Sequence, residues 1–108
     1  MNNLSALLVV LASAALAQNG NADNGKRVFL KDGCYECHGT VAQGGVGPRL
    51  TSPAIALSTL TTIVRKGVGG MPPYSAKVLS DAELSDIHAY LETIPAPPPA
   101  KSIALLNQ

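Results

Sequence analysis

A chain of 108 residues with no Trp, one Phe and three Tyr is one domain at most, and large aromatic side chains cannot fill its core alone. Two cysteines exclude the disulfide framework that staples many small exported domains. Eight basic residues against seven acidic ones leave a formal charge of +1, which excludes the strongly basic surface expected of a nucleic-acid binder.

In chain order, the first element is an apolar run from Leu4 to Leu16 that ends in Ala15-Leu16-Ala17. Small residues at that spacing mark a signal-peptidase site, so residues 1–17 read as a signal peptide cleaved after Ala17. The run is shorter than the roughly 20 apolar residues that span a bilayer, which argues against a membrane anchor. Met1-Asn2-Asn3 carries no Lys or Arg, so an uncleaved N-terminal anchor is the alternative. Export points to the periplasm. What remains is a domain over residues 18–95 and a Pro-rich tail over 96–108.

Asp23 or Asn24 caps a first short helix reaching about Lys31, with Gly25 and Phe29 one turn apart on one face. Cys34-Tyr35-Glu36-Cys37-His38 follows and reads C-x-x-C-H, the attachment signature of a c-type haem. On a helical turn begun by Cys34, Cys37 and His38 fall at i+3 and i+4, on the same face. Two thiols then reach the two vinyl groups while the imidazole reaches iron from one side. A disulfide between cysteines this close closes almost no loop and stabilises little. A thioredoxin-like pair needs a βαβ context that is absent, and zinc needs four ligands where only His88 lies outside the motif.

Gln43-Gly44-Gly45-Val46-Gly47-Pro48 is too glycine-rich for regular structure. Ser58 caps a second helix in which Leu60, Ile63 and Val64 share a face, and Gly67 stops it. The loop Gly67-Val68-Gly69-Gly70-Met71-Pro72-Pro73 carries one candidate for a sixth iron ligand, because the two prolines hold Met71 away from helical geometry. His88, at the edge of an apolar helix stripe, is the second candidate. An open sixth position is the third possibility.

Ser80-Asp81-Ala82-Glu83 is a capping box flanked by Leu79 and Leu84 in staple positions. Leu84, Ile87, Leu91 and Ile94 form the apolar stripe of the helix it opens, and Pro95 ends it. The tail stretch Pro95-Ala96-Pro97-Pro98-Pro99-Ala100 is expected to be extended and polyproline-like. It ends in an apolar Ile103-Ala104-Leu105-Leu106, placed either on its own domain or on a partner. No alternating strand pattern of useful length appears, so the fold class is all-α.

These residues resemble a small bacterial class I cytochrome c over nearly the whole mature chain, from Gly25 to about Leu91. The resemblance rests on Gly25 with Phe29, the C-x-x-C-H motif, Gly47-Pro48-Arg49-Leu50, Gly70-Met71-Pro72-Pro73-Tyr74 and Leu84 through Leu91. It implies three to five short helices wrapped around one covalent haem c, with the N- and C-terminal helices crossing where Gly25, Phe29 and Tyr90 meet. It implies thioether links at Cys34 and Cys37, and His38 and Met71 as axial ligands. Pro48 would accept the proximal imidazole N–H, Arg49 and Arg65 would face propionates, and Leu50, Leu60, Ile63 and Val64 would line the haem.

Iron ligated on both sides has no free position for substrate, and nothing here supplies distal acid–base chemistry for a peroxidase or gas sensor. The expected function is therefore single-electron transfer, at a potential raised by Met/His ligation. One version is a diffusible periplasmic carrier between a dehydrogenase donor and an oxidase or other cytochrome acceptor. The other is an electron-accepting haem subunit of a periplasmic dehydrogenase. Lys26, Arg27, Lys31 and Arg49 near the motif, against Asp81, Glu83, Asp86 and Glu92 on the last helix, suggest a dipole that steers partners.

Overall fold

The computed structural model describes residues 20–108, so the signal peptide expected over residues 1–17 lies outside the described residues. Four helices follow in order: α1 (Ala22–Lys31), α2 (Cys34–His38), α3 (Leu57–Lys66) and α4 (Asp81–Thr93). Among the described residues the only extended pairing is an isolated antiparallel bridge between Val68 and Met71. No helix among them is long and apolar enough to cross a membrane.

Asn21, not Asp23 or Asn24, caps α1: its side chain accepts the Asn24 N–H at 3.0 Å. Asp23 instead sits in the first turn, where its charge complements the helix dipole. α3 begins at Leu57 behind Ala56, which has no capping side chain. Ser58 is already helical, and its carbonyl accepts from the Thr62 hydroxyl at 2.9 Å. Gly67 ends α3 with φ 71°, a left-handed conformation that favours glycine. The capping box of α4 is complete, with Glu83 N–H on Ser80 Oγ at 3.1 Å and Ser80 N–H on the Glu83 carboxylate at 2.9 Å.

The principal contact is α1 on α4. Gly25 makes it possible, since a Cβ there would fall 1.9 Å from the Asp86 carbonyl oxygen. One turn on, Phe29 meets Tyr90 edge to face, with ring centroids 5.7 Å apart. Asp86 fastens the same junction: its carboxylate accepts the Asn21 N–H at 2.6 Å and the Asn24 side-chain amide at 2.7 Å. Val28, Phe29, Leu79, Leu84 and Leu91 are fully buried around this seam, and Leu60 and Val64 bring α3 against it.

Ile63 is less buried than the neighbours whose face it was expected to share. Leu60 and Val64 are buried, but Ile63 stays half-buried and lines an open cleft of about 250 Å³ with Ser58, Thr59 and Thr62. Of the tail stretch expected to be extended, only Ala100 enters a turn. Residues 95–99 have no regular structure, but short 3₁₀ turns follow at Ala100–Ser102 and Ala104–Asn107. Neither turn contacts any of the four helices.

Candidate functional site

α2 has five residues, too few to satisfy its own carbonyls, and the glycine-rich loop after it does that work. Gly39 N–H bonds to Tyr35 O at 2.9 Å, Gly44 N–H to His38 O at 2.7 Å, and Gly47 N–H to Cys37 O at 2.9 Å. The loop therefore folds back over the C-terminal end of α2, and this return brings Pro48 to His38. His38 Nδ1 lies 2.8 Å from Pro48 O. A carbonyl only accepts, so Nδ1 carries the proton and Nε2 keeps the lone pair a metal requires. The His38 ring is buried, with one nitrogen committed and one available.

Gly47 is part of this arrangement, though nothing in its sequence context beyond the Gly-Pro pair marks it. A Cβ there would lie 2.9 Å from His38 Cε1 and 3.0 Å from Nδ1. The imidazole occupies the space that any other residue would fill.

Cys34 is half-buried and Cys37 exposed, and neither is in a disulfide. Burial, with the Asp32 charge second, pushes the Cys34 thiol up to about 11. Cys34, Leu50 and Met71 are all half-buried, and each packs against the core cluster. Met71 also lines an open cleft of about 380 Å³ formed by Lys66 through Pro73.

Arg49 is exposed beside Pro48. Arg65 is engaged by protein acceptors: Nη1 donates to Tyr74 O at 3.1 Å and to Leu79 O at 2.7 Å, and Nη2 to Asp81 at 2.6 Å. The propionate expectation therefore rests on Arg49. His88 forms an i,i+4 pair with Glu92, Nδ1 to Oε1 at 2.9 Å, on α4. Tyr74 packs against the core cluster, and its hydroxyl donates to Asp32 O at 3.4 Å. Burial raises the pKa of the Tyr74 phenol, with the nearby Asp32 carboxylate adding to it.

The donor set fits a c-type haem. It offers two thiols on one short helix, an imidazole whose tautomer is set by a carbonyl, and a thioether on the same core.

The family model described as cytochrome c oxidase, cbb3-type, subunit III matches residues 20–91, which run from before α1 to the last turn of α4 and leave out the tail. The cytochrome c subunit of 4-cresol dehydrogenase [hydroxylating] from Pseudomonas putida is 33% identical over 95 residues, covering 82% of this chain and 81% of its own length. A cytochrome c-553-like protein of Synechocystis sp. is 33% identical over 76% of this chain and 77% of its own. Cytochrome c-555 of Methylococcus capsulatus is 30% identical over 84% of each. No solved structure gives a significant match. Motif, all-helical fold and relatives agree: the chain belongs to the small c-type cytochromes, binds haem c covalently and carries single electrons.

Proposed function

We propose that this cytochrome works in the periplasm, linked to haem through Cys34 and Cys37, with His38 and Met71 as the axial ligands. Bound haem supplies reversible one-electron chemistry at iron. The observation that carries the ligand assignment is the hydrogen bond from His38 Nδ1–H to Pro48 O at 2.8 Å. It fixes the tautomer and raises the basicity of Nε2 toward a metal. Met71 is the complement, a soft thioether on a half-buried loop position. With His38 and Met71 both holding the iron, the chain would leave no position for substrate, and the protein would be a carrier rather than a catalyst.

Arg49 would offer an exposed cation to a haem propionate, and Leu50 and Ile63 would supply apolar contact that keeps water from the ring. Ile63 supports this directly, since it is apolar and half-open on a helix whose neighbouring Leu60 and Val64 are buried. Export rests on the apolar run from Leu4 to Leu16 and the Ala15-Leu16-Ala17 site.

The ferric holoprotein is expected to show the weak charge-transfer band of methionine bound to iron. Met71→Ala should abolish it and open the reduced protein to carbon monoxide. An unchanged spectrum in that variant would remove Met71 as the ligand.

The donor is a dehydrogenase and the acceptor an oxidase or another cytochrome. A second reading is favoured by one observation, the relative that serves as the cytochrome c subunit of a dehydrogenase. In it this chain is a resident electron acceptor within such a complex. The native size of the haem-bearing species in a gentle periplasmic extract decides between them. A species the size of one domain supports the free carrier. A species several times larger, co-eluting with a second polypeptide, supports the subunit.

A further inference from the structure

The segment between α3 and α4 carries Met71 but has little internal structure to hold it. Two backbone bonds close its tip, Val68 N–H to Met71 O at 3.1 Å and Met71 N–H to Val68 O at 2.9 Å. The tip stands in open space, since a Cβ added at Gly69 or Gly70 would meet nothing within 4 Å. Pro72 and Pro73 have no N–H to donate. Tyr74 is the first residue after Met71 that is fastened to the body of the protein. Its N–H bonds to Val64 O at 2.8 Å and its hydroxyl reaches Asp32 O at 3.4 Å.

Arg65, at the end of α3, completes that fastening from one side chain. Its Nη1 binds Tyr74 O and Leu79 O, at the two ends of the segment that leads from Met71 to α4. Its Nη2 binds Asp81, the first residue of α4. Asp81 is 82% exposed, so that ion pair is screened and weak. The two half-buried carbonyls matter more, because a charged donor on a carbonyl shielded from water is among the stronger hydrogen bonds. A planar guanidinium serves three acceptors in a fixed geometry, which a lysine ammonium on a flexible stem does not reproduce.

We propose that Arg65 is a positioning residue that holds the Met71 loop closed and thereby keeps the thioether on the iron. The inference rests on Met71 being the sixth ligand. The Arg65 contacts to Tyr74 and Leu79 exist only while the segment lies on α3, so losing them favours the open loop and an exchangeable sixth position.

The test is imidazole binding to the ferric holoprotein, followed by loss of the methionine charge-transfer band. Arg65→Gln should tighten apparent imidazole binding about tenfold or more, because an added ligand competes with a loop that opens more readily. Hydrogen exchange at the Tyr74 amide should quicken by a similar factor. Asn24→Ala is the control: it weakens the α1–α4 junction, remote from the loop, and should leave imidazole binding within about twofold. Arg65→Lys, which keeps the charge, should give an intermediate increase and serves if the Gln variant does not fold. Imidazole affinity that moves no more in the Arg65 variants than in Asn24→Ala overturns the proposal. Met71→Ala separates the two readings. If it abolishes the band while the Arg65 variants bind imidazole like wild type, only the positioning role fails. If it leaves the band intact, the ligand assignment fails first.

Discussion

At the scale of single residues, Gly47 and Pro48 act as one unit on His38. Pro48 supplies the acceptor that orients the ring, and Gly47 supplies the space the ring needs. Gly47→Ala places a methyl 2.9 Å from His38 Cε1 and 3.3 Å from Cys37 O. Either the imidazole turns or the loop lifts from α2, and both weaken the Pro48 bond. A cost of about 1–3 kcal/mol is expected, the usual range for overpacking a tight site. Thermal melting of the holoprotein followed at the haem absorption checks it, and an unshifted melt would show that the loop accommodates the methyl freely. The C-x-x-C-H motif that makes His38 the proposed ligand was legible in the sequence, because the spacing of three residues along one turn is local. The role of Gly47 was not, because glycine in a glycine-rich loop carries no mark of which one faces a side chain.

At the scale of elements, the α1–α4 junction decides whether the fold closes. Phe29 and Tyr90 meet only because Gly25 lets the backbones approach to where any side chain would collide. The atoms that a new Cβ would strike are Asp86 O, Asp86 C and Ile87 N, all backbone, with no rotamer to move away. Gly25→Ala is therefore expected to cost about 3 kcal/mol, a fall in Tm of roughly 10–20 °C for a domain of this size. A melt within a few degrees of wild type would mean that α1 slides without penalty. The acidic residues of α4 have a similar lesson. Glu83 caps the helix, Asp86 binds Asn21 and Asn24, Asp81 binds Arg65 and Glu92 pairs with His88. Each carboxylate expected to form the negative end of a steering dipole also has a structural partner within the fold.

At the scale of the whole molecule, the domain and its tail are separate in energetic terms. The turns at Ala100–Ser102 and Ala104–Asn107 touch none of the four helices, and every residue from Pro95 onward is exposed. Deleting residues 96–108 should leave the holoprotein Tm within about 3 °C, because no buried contact is lost. A larger fall would reveal tail packing on the domain. Leu105 and Leu106 are 78% and 64% exposed, while the core proper is small and clustered on the α1–α4 seam. A covalent macrocycle supplies apolar bulk that a chain with one Phe and no Trp lacks.

What the sequence by itself determined were features whose physics spans one or two turns: the capping box at Ser80 and Glu83, the stop at Gly67, and the shared face of Cys34, Cys37 and His38. Their partners lie within five residues, so few alternatives compete. The start of α1 shows the limit of that reach, since Asn21, Asp23 and Asn24 all suit a cap and the choice of Asn21 went with the packing of Asp86 against the same turn. Tertiary structure decided the rest. Arg65 went to Tyr74, Leu79 and Asp81, Ile63 was left half-open beside buried neighbours, and the tail stayed off the helices. The physical reason is that a guanidinium, an aliphatic side chain or an apolar tail has many chemically equivalent partners along the chain, and only the packed fold selects among them.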